Sequence, residues 1–404
     1  MNIWSIFKQE IIGLWGNGKG ISLAAIALGW GLLMGIRMVY PVIIPYFETE
    51  FGMSLSVAGL LVSVLWFFAA IGQLPSGVLA DRYSERTLMA VSVTTVAGAL
   101  MLVITAPSAI LLFVATAIWG LGHSLYPIAR ITFLSELYAE RLGSALGVTM
   151  AMGDIGQSLL PPVATVLAAA FLWQAGLGFV IPGLLLAGIL IFLFSPTHPS
   201  EDSSSDLQSL WEARDVLYEL RNPTMGFMTG ILFLYMFIWQ SFTTFYPTYL
   251  TTVKGFSPST AGILFGFFFA VGVLVKPLAG AAYDRIGMRI SLISILLPAV
   301  VGFALLPLTN ELWILVGITA MISVMLGTGA ITQSFLAEAF SDNMKGTGLG
   351  VVRTVTAALA ATGPVVFGVV ADAGYFDEGY FVLALIMAVV VILTFRMPMA
   401  SSTS

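Results

Sequence analysis

The 404-residue sequence contains no cysteine and only two histidines. Disulfides, thiolate nucleophiles and cysteine-held metals are excluded, and the redox compartment leaves no trace. His123 and His198 are too few and too far apart in sequence to suggest a metal cluster. Charge is also scarce. Asp, Glu, Lys and Arg make up 9% of the residues, against about 25% in a typical soluble domain. So little charge cannot cover a water-facing surface, and no basic patch is available for nucleic acid. Hydrophobic residues fill the gap, at 58% with a mean hydropathy of +0.98. They fall in many windows of about 20 residues, the length that crosses about 30 Å of hydrocarbon as a helix. The short polar–apolar alternation of a membrane β-barrel is absent. The fold class expected is an all-α polytopic membrane protein. No cleavable signal peptide is expected in "MNIWSIFKQEIIGLWGNGKG", whose apolar stretch is interrupted by an acid.

Twelve spans are predicted, six on either side of "SPTHPSEDSSSDLQSLWEARDVLYELRNP", a polar, Ser- and acid-rich stretch that becomes amphipathic. The expected organisation is a six-helix bundle over 1–195, a cytoplasmic linker over 196–223 and a second six-helix bundle over 224–404. With both termini cytoplasmic, the lysines and arginines outside the spans fall in inside segments, and only Lys254 falls outside. The positive-inside rule therefore favours this orientation in a cell membrane.

The halves repeat at a constant offset of 203 residues. Gly52, Ser54, Ala58 and Gly59 return as Gly255, Ser257, Ala261 and Gly262. Gly143, Gly147 and Pro161 return as Gly346, Gly350 and Pro364. The most charged part of the repeat is "GVLADRYSER" at 77–86, which returns as "GAAYDRIGMR" at 280–289. Matches on one register imply two parallel six-helix repeats, the plan of a transporter that rocks about a midplane site.

The paired loops resemble the Gly-x-x-x-Asp-Arg loop signature of the major facilitator superfamily. The resemblance covers nearly the whole chain. It implies that Gly77, Asp81, Arg82 and Arg86, with Gly280, Asp284, Arg285 and Arg289, act as a cytoplasmic gate; the plainer alternative is a positive-inside anchor. Ser84 departs from the signature where the second copy keeps Gly287.

Ionisable residues inside a span are costly and mark function by default. Arg37 lies in span 1, His123 and Arg130 in span 4, Asp154 in span 5, Lys276 in span 8 and Arg353 in span 11. In the fold the resemblance implies, these spans line or flank a central cavity. Four bases against one acid make that cavity electropositive and favour an anion, with Arg suited to a carboxylate. Arg37, Tyr40, His123, Arg130, Trp239, Lys276 and Arg353 are the expected substrate contacts. Asp154 and His123 are the expected proton carriers. Each has a structural alternative: an Arg37–Asp154 ion pair, snorkelling by Arg130 and Lys276, or a hydrogen-bonded His123. Tyr235, Trp239, Phe242, Tyr246 and Tyr249 share one face of span 7, as a packing stripe or as a cavity wall.

Within the superfamily the chain is similar to the organic-anion branches: anion:cation symporters, organophosphate antiporters and oxalate:formate-type exchangers. The similarity lies in Arg37 with Pro45, in "GLGHSLYPIARITFLSELYAERLGSALGV", and in the Lys276 and Arg353 pair of spans 8 and 11. Trp239 stands where the organophosphate antiporters carry a second arginine, which shifts the expectation from phosphates to carboxylates. The expected function is secondary transport of a small organic anion by a monomer, coupled to protons and without a cofactor. The alternative is a proton-coupled exporter of lipophilic drugs or metabolites, whose Gly-x-x-x-Gly-Pro signature is poorly matched by "GDIGQSLLPP". A non-transporting sensor has no appended domain to support it. Enzymatic motifs are lacking: "GNGKG" and "GTGLG" have neither the spacing nor the context of nucleotide-binding loops.

Overall fold

The computed structural model describes residues 14–73, 76, 79, 83–196, 223–339 and 345–397, and among them it contains helices and no strand. Hydrocarbon offers backbone N–H and C=O groups no partner, so a spanning segment must satisfy them internally, as a helix does. We number the helices by span. The first half has α1 Lys19–Phe51, α2 Leu55–Ile71, α3 Glu85–Ile104, α4 Ala109–Leu137, α5 Leu142–Ala170 and α6 Trp173–Phe194. The second half starts with α7 Pro223–Thr252, followed by a continuous helix Pro258–Leu305. Then come α10 Leu312–Leu336, α11 with its pieces Lys345–Ala360 and Thr362–Asp372, and α12 Phe376–Arg396. Gly77, Asp81, Arg82 and the body of the linker lie outside the described residues.

The helix Pro258–Leu305 has 48 residues. At 1.5 Å per residue it would extend about 70 Å, more than twice the hydrocarbon thickness. A single residue divides it: Gly287 takes φ 76 and ψ 169, leaving α8 at 258–286 and α9 at 288–305. A side chain at that φ is strained. Its counterpart in the first half is Ser84, which adopts φ −61 and ψ 141 instead and accepts a hydrogen bond from the Thr87 N–H as the cap of α3. The departure from the loop signature is therefore a change of device: the second half turns on a glycine, the first on a capped helix start.

The 203-residue repeat extends to individual bonds. Gly52 and Gly255 both have positive φ, 61 and 72. Ser54 and Ser257 each accept from the backbone three residues on, at Val57 and Thr260. Thr116 accepts or donates at the Tyr40 hydroxyl and donates to the Leu112 carbonyl. Thr319, its counterpart, likewise donates to the Leu315 carbonyl, and it also bonds a tyrosine, Tyr246, that is off the register of Tyr40. Arg86 donates to the Ser195 carbonyl and lies over the Phe192 ring; Arg289 donates to the Met397 carbonyl and lies over Phe395. In each half the last arginine of the loop signature thus ties the start of the third helix to the end of the sixth. These guanidiniums serve the orphan carbonyls of a helix C-terminus, where positive charge is favoured.

The chain forms two compact units. One takes the residues up to Ile43 and from Val64 to the linker; the other takes Ile44–Ser63 and the sequence after the linker. Segment 44–63 is specifically seated in the second unit. The Asp372 carboxylate at the end of α11 accepts the Leu55 and Ser56 N–H groups at 2.7 and 2.9 Å. A methyl on Gly59 would lie 2.4 Å from the Pro364 carbonyl oxygen, so α2 and α11 meet backbone to backbone. Aromatic packing fills the second unit. Phe242 meets Tyr246, Phe268, Phe303 and Tyr380 at 4.6–6.4 Å between ring centres. In the first unit α1 and α5 cross on glycines: a methyl on Gly156 would stand 1.9 Å from the Gly31 carbonyl oxygen. Small residues at such crossings substitute for the missing hydrophobic drive between helices in lipid.

Two predictions follow from this packing. Gly156→Ala is expected to destabilise the protein by about 1–3 kcal/mol or more through overpacking, whereas Gly143→Ala, on the same helix with nothing within 4 Å, is expected to be neutral. Thermal unfolding in detergent measures both, and equal melting temperatures would contradict the crossing. Arg86→Gln and Arg289→Gln are expected to cost similar amounts, about 1–2 kcal/mol each. A marked effect of one without the other would show that the two clamps are not equivalent.

Candidate anion site in the first unit

Three of the residues singled out from the sequence come together on α1 and α4. These helices run antiparallel, so residues seven apart on one can face residues seven apart on the other. Arg37 Nη1 lies 3.4 Å from His123 Nε2, and its Cζ sits 4.3 Å from the centre of the Trp66 ring on α2. Seven residues before Arg37, the Trp30 ring carries Arg130 Cζ at 4.0 Å; Arg130 is seven residues after His123. Trp30 also stacks on His123 and Tyr126, at 6.4 and 6.0 Å. The result is a connected series, Trp66–Arg37–His123–Trp30–Arg130, within one unit.

Glycines make room for it. A methyl on Gly153 of α5 would meet the Trp30 Nε1 at 2.7 Å, and one on Gly29 would meet the Tyr126 hydroxyl at 2.6 Å. The Tyr126 hydroxyl donates to the Ile26 carbonyl at 2.7 Å, which fixes α4 against α1.

The cations retain unused capacity. His123 and Arg130 are 4 and 5% exposed. Arg130 Nη1 donates to Thr149 Oγ1 at 2.7 Å, and Arg37 Nη2 lies 3.3 Å from the Met34 sulfur. Arg37 Nε, Arg130 Nε and His123 Nδ1 have no hydrogen-bond partner. Among the described residues, the hydrogen-bonding and ring contacts of these two guanidiniums include no carboxylate. Burying an ion without a counter-charge costs several kcal/mol. Stacking on an indole returns about 2 kcal/mol when desolvated. The balance is available to an incoming anion.

The remaining expected residues are placed as follows. Tyr40 is fully buried, bonded to Thr116 and packed edge-on to Trp119 at 4.8 Å. The Asp154 carboxylate receives the Gln157 amide at 3.3 Å on its own helix. In the second unit Trp239 and Lys276 are half-buried on α7 and α8, and Arg353 is exposed on α11. The other members of the span 7 stripe, Tyr235, Phe242, Tyr246 and Tyr249, are core. Gly280 is half-buried, and Asp284 and Arg285 are exposed, close in sequence to the turn at Gly287. Trp30 and Trp66 escaped the sequence reading, because an indole on an apolar helix carries no mark of its cation. An apolar groove of about 670 Å³ between α3 and α6, lined by Ala90, Thr94, Leu185 and Ile189 among others, contains no ionisable side chain and suits lipid.

Comparison across the repeat shows what the scaffold does not need. At the 203-residue offset Arg37 becomes Gln240, Arg130 becomes Gln333, His123 becomes Leu326, and Trp30 and Trp66 become Phe233 and Phe269. The second half keeps the shared bonds without these charges.

The Probable sulfoacetate transporter SauU of Cupriavidus necator is 26% identical over 266 residues, covering 63% of this chain and 62% of the relative's length. The Hexuronate transporter of Bacillus subtilis is 21% identical over 370 residues, covering 86% of this chain and 87% of the relative. Among solved structures, the nucleoside transporter NupG superposes with a TM-score of 0.76 at 15% identity, over 94% of this chain and 99% of that one, which shows the shared fold. The profile of the Major Facilitator Superfamily matches residues 25–333 and 228–403. The chain therefore belongs to the major facilitator superfamily of multi-pass membrane transporters.

Proposed function

We propose that the chain is a secondary transporter of a small organic anion, with a carboxylate as the preferred head group, working by alternating access with both termini in the cytoplasm. The observation that carries this reading is the pair of guanidiniums, half-buried Arg37 and buried Arg130, each lying over an indole with a buried Nε to spare. The sister half holds the same scaffold with Gln240 and Gln333 at these places, so the charges are not a requirement of folding. Arg37 Nε and His123 Nδ1 are the donors offered to the anion, and Arg supplies the planar fork that suits a carboxylate. The two relatives named for sulfoacetate and hexuronate support the same class.

His123 and Asp154 remain the coupling candidates. An anion seated beside Arg37 would offset the guanidinium and so favour a proton on the His123 imidazole. Lys276, Arg353 and Trp239 are assigned to the pathway of the second half, and Asp284, Arg285 and Gly280 to its cytoplasmic gate. A lipophilic cation would meet two guanidiniums, which disfavours the exporter reading.

Arg37→Ala is expected to weaken binding of the transported anion by about 2–4 kcal/mol, roughly 30- to 1,000-fold, and to abolish uptake in proteoliposomes. Thermal shift with mono- and dicarboxylates, sugar acids and lipophilic cations identifies the ligand, because a ligand of the folded state raises its apparent stability. Stabilisation by lipophilic cations alone, unaffected by Arg37→Ala, would overturn the anion reading.

A further inference from the structure

We infer that the site takes a doubly charged anion, with one acidic head at Arg37 and His123 and the other at Arg130. This rests on the anion reading of the same site and goes beyond it in the number and spacing of the charges. Arg37 and Trp30 are seven residues apart on α1, and His123 and Arg130 are seven apart on α4. Seven residues are two helical turns, about 10 Å. The site therefore has two rungs, Arg37 with His123 and Trp30 with Arg130.

The Trp30 indole stands in the series of contacts between the two cations. Its ring is stacked on His123 at 6.4 Å, with the Arg130 guanidinium 4.0 Å from its centre. An acid head seated at Arg37 and His123 is thus held away from Arg130 by the indole. Each rung has its own unpartnered buried donor, Arg37 Nε and His123 Nδ1 on the first and Arg130 Nε on the second. A monocarboxylate satisfies one rung and leaves the other cation buried without a counter-charge. A dianion whose heads are about 5–10 Å apart, the two-turn rise shortened by side-chain reach, satisfies both. Thr149 holds Arg130 from the side, through Nη1 at 2.7 Å, so the guanidinium is oriented before the ligand arrives. This arrangement selects by charge number and length, and Trp30 sets the length.

The test uses the purified full chain in detergent at fixed ionic strength and pH. Binding of linear dicarboxylates of increasing chain length is measured by calorimetry against monocarboxylates of the same lengths. One dicarboxylate length is expected to bind about tenfold or more tightly than its monocarboxylate partner, the equivalent of one additional charged hydrogen bond. In Arg130→Gln that advantage is expected to vanish, the dicarboxylate binding no more tightly than the monocarboxylate of the same length. The sister half carries Gln333 at the equivalent position, which makes Gln compatible with the scaffold. Arg130→Lys, which keeps the charge but not the planar fork, is expected to restore part of the advantage. This variant, together with the wild-type comparison, decides the matter should the glutamine variant fail to fold. Equal binding of mono- and dicarboxylates by the wild type would overturn the inference and leave the anion site standing. So would a dicarboxylate advantage that persists in Arg130→Gln. Failure of every carboxylate to bind the wild type would overturn both this inference and the anion reading beneath it.

Discussion

Guanidiniums whose contacts among the described residues include no carboxylate are the condition around which the first unit is organised. Their cost of several kcal/mol per ion exceeds what a single stacking contact returns. The surroundings of Arg37 and Arg130 therefore have to hold each cation flat against an indole while leaving donors open. Indoles are large, and the helices that carry them must still pack. Glycine resolves the conflict: Gly153 gives space to Trp30, Gly29 to the Tyr126 hydroxyl, and Gly31 with Gly156 brings α1 and α5 into backbone contact. The Tyr126 bond to the Ile26 carbonyl then fixes the rotation of α4 on which the facing of His123 and Arg130 depends.

The second unit shows the same scaffold without that condition. Thr319 repeats the carbonyl bond of Thr116, Arg289 that of Arg86, and Ser257 the cap of Ser54. Where the first half has cations and indoles, the second has amides and phenyl rings, Gln240, Gln333, Phe233 and Phe269. Its interior is spent on aromatic packing around Phe242 and Tyr380.

Much of this was legible in the sequence, for definable reasons. The spans follow from the lack of charge, and the repeat follows from Gly and Ser positions that require a particular backbone. Arg37, His123 and Arg130 stood out because an ionisable group in hydrocarbon has few bland explanations. Trp30 and Trp66 did not, since nothing in an apolar run distinguishes an indole that carries a cation from one that meets lipid. The face shared by Tyr235, Phe242, Tyr246 and Tyr249 was visible as a period; whether it lined a cavity depended on partners from α8, α9 and α12, far away in sequence. The role of Arg86 and Arg289 was hidden for the same reason. Their partners, Ser195 and Met397, act through backbone carbonyls and leave no side-chain signature. Tyr40 stood out by its position one turn from Arg37, and its bond is to Thr116 on α4, a partner that spacing along the sequence does not mark.

On the anion reading, the site also constrains the sign of any proton coupling. The two candidate carriers differ in kind. His123 becomes cationic on taking a proton, whereas Asp154 becomes neutral. Either change makes the surroundings more favourable to a neighbouring anion by one unit of charge. By linkage, the anion then favours the proton to the same degree. A coupling free energy of about 1–3 kcal/mol, typical of such linkage, corresponds to roughly 5- to 150-fold in affinity. For either carrier the linkage has one sign: a proton at His123 or Asp154 and an anion at Arg37 would each strengthen binding of the other.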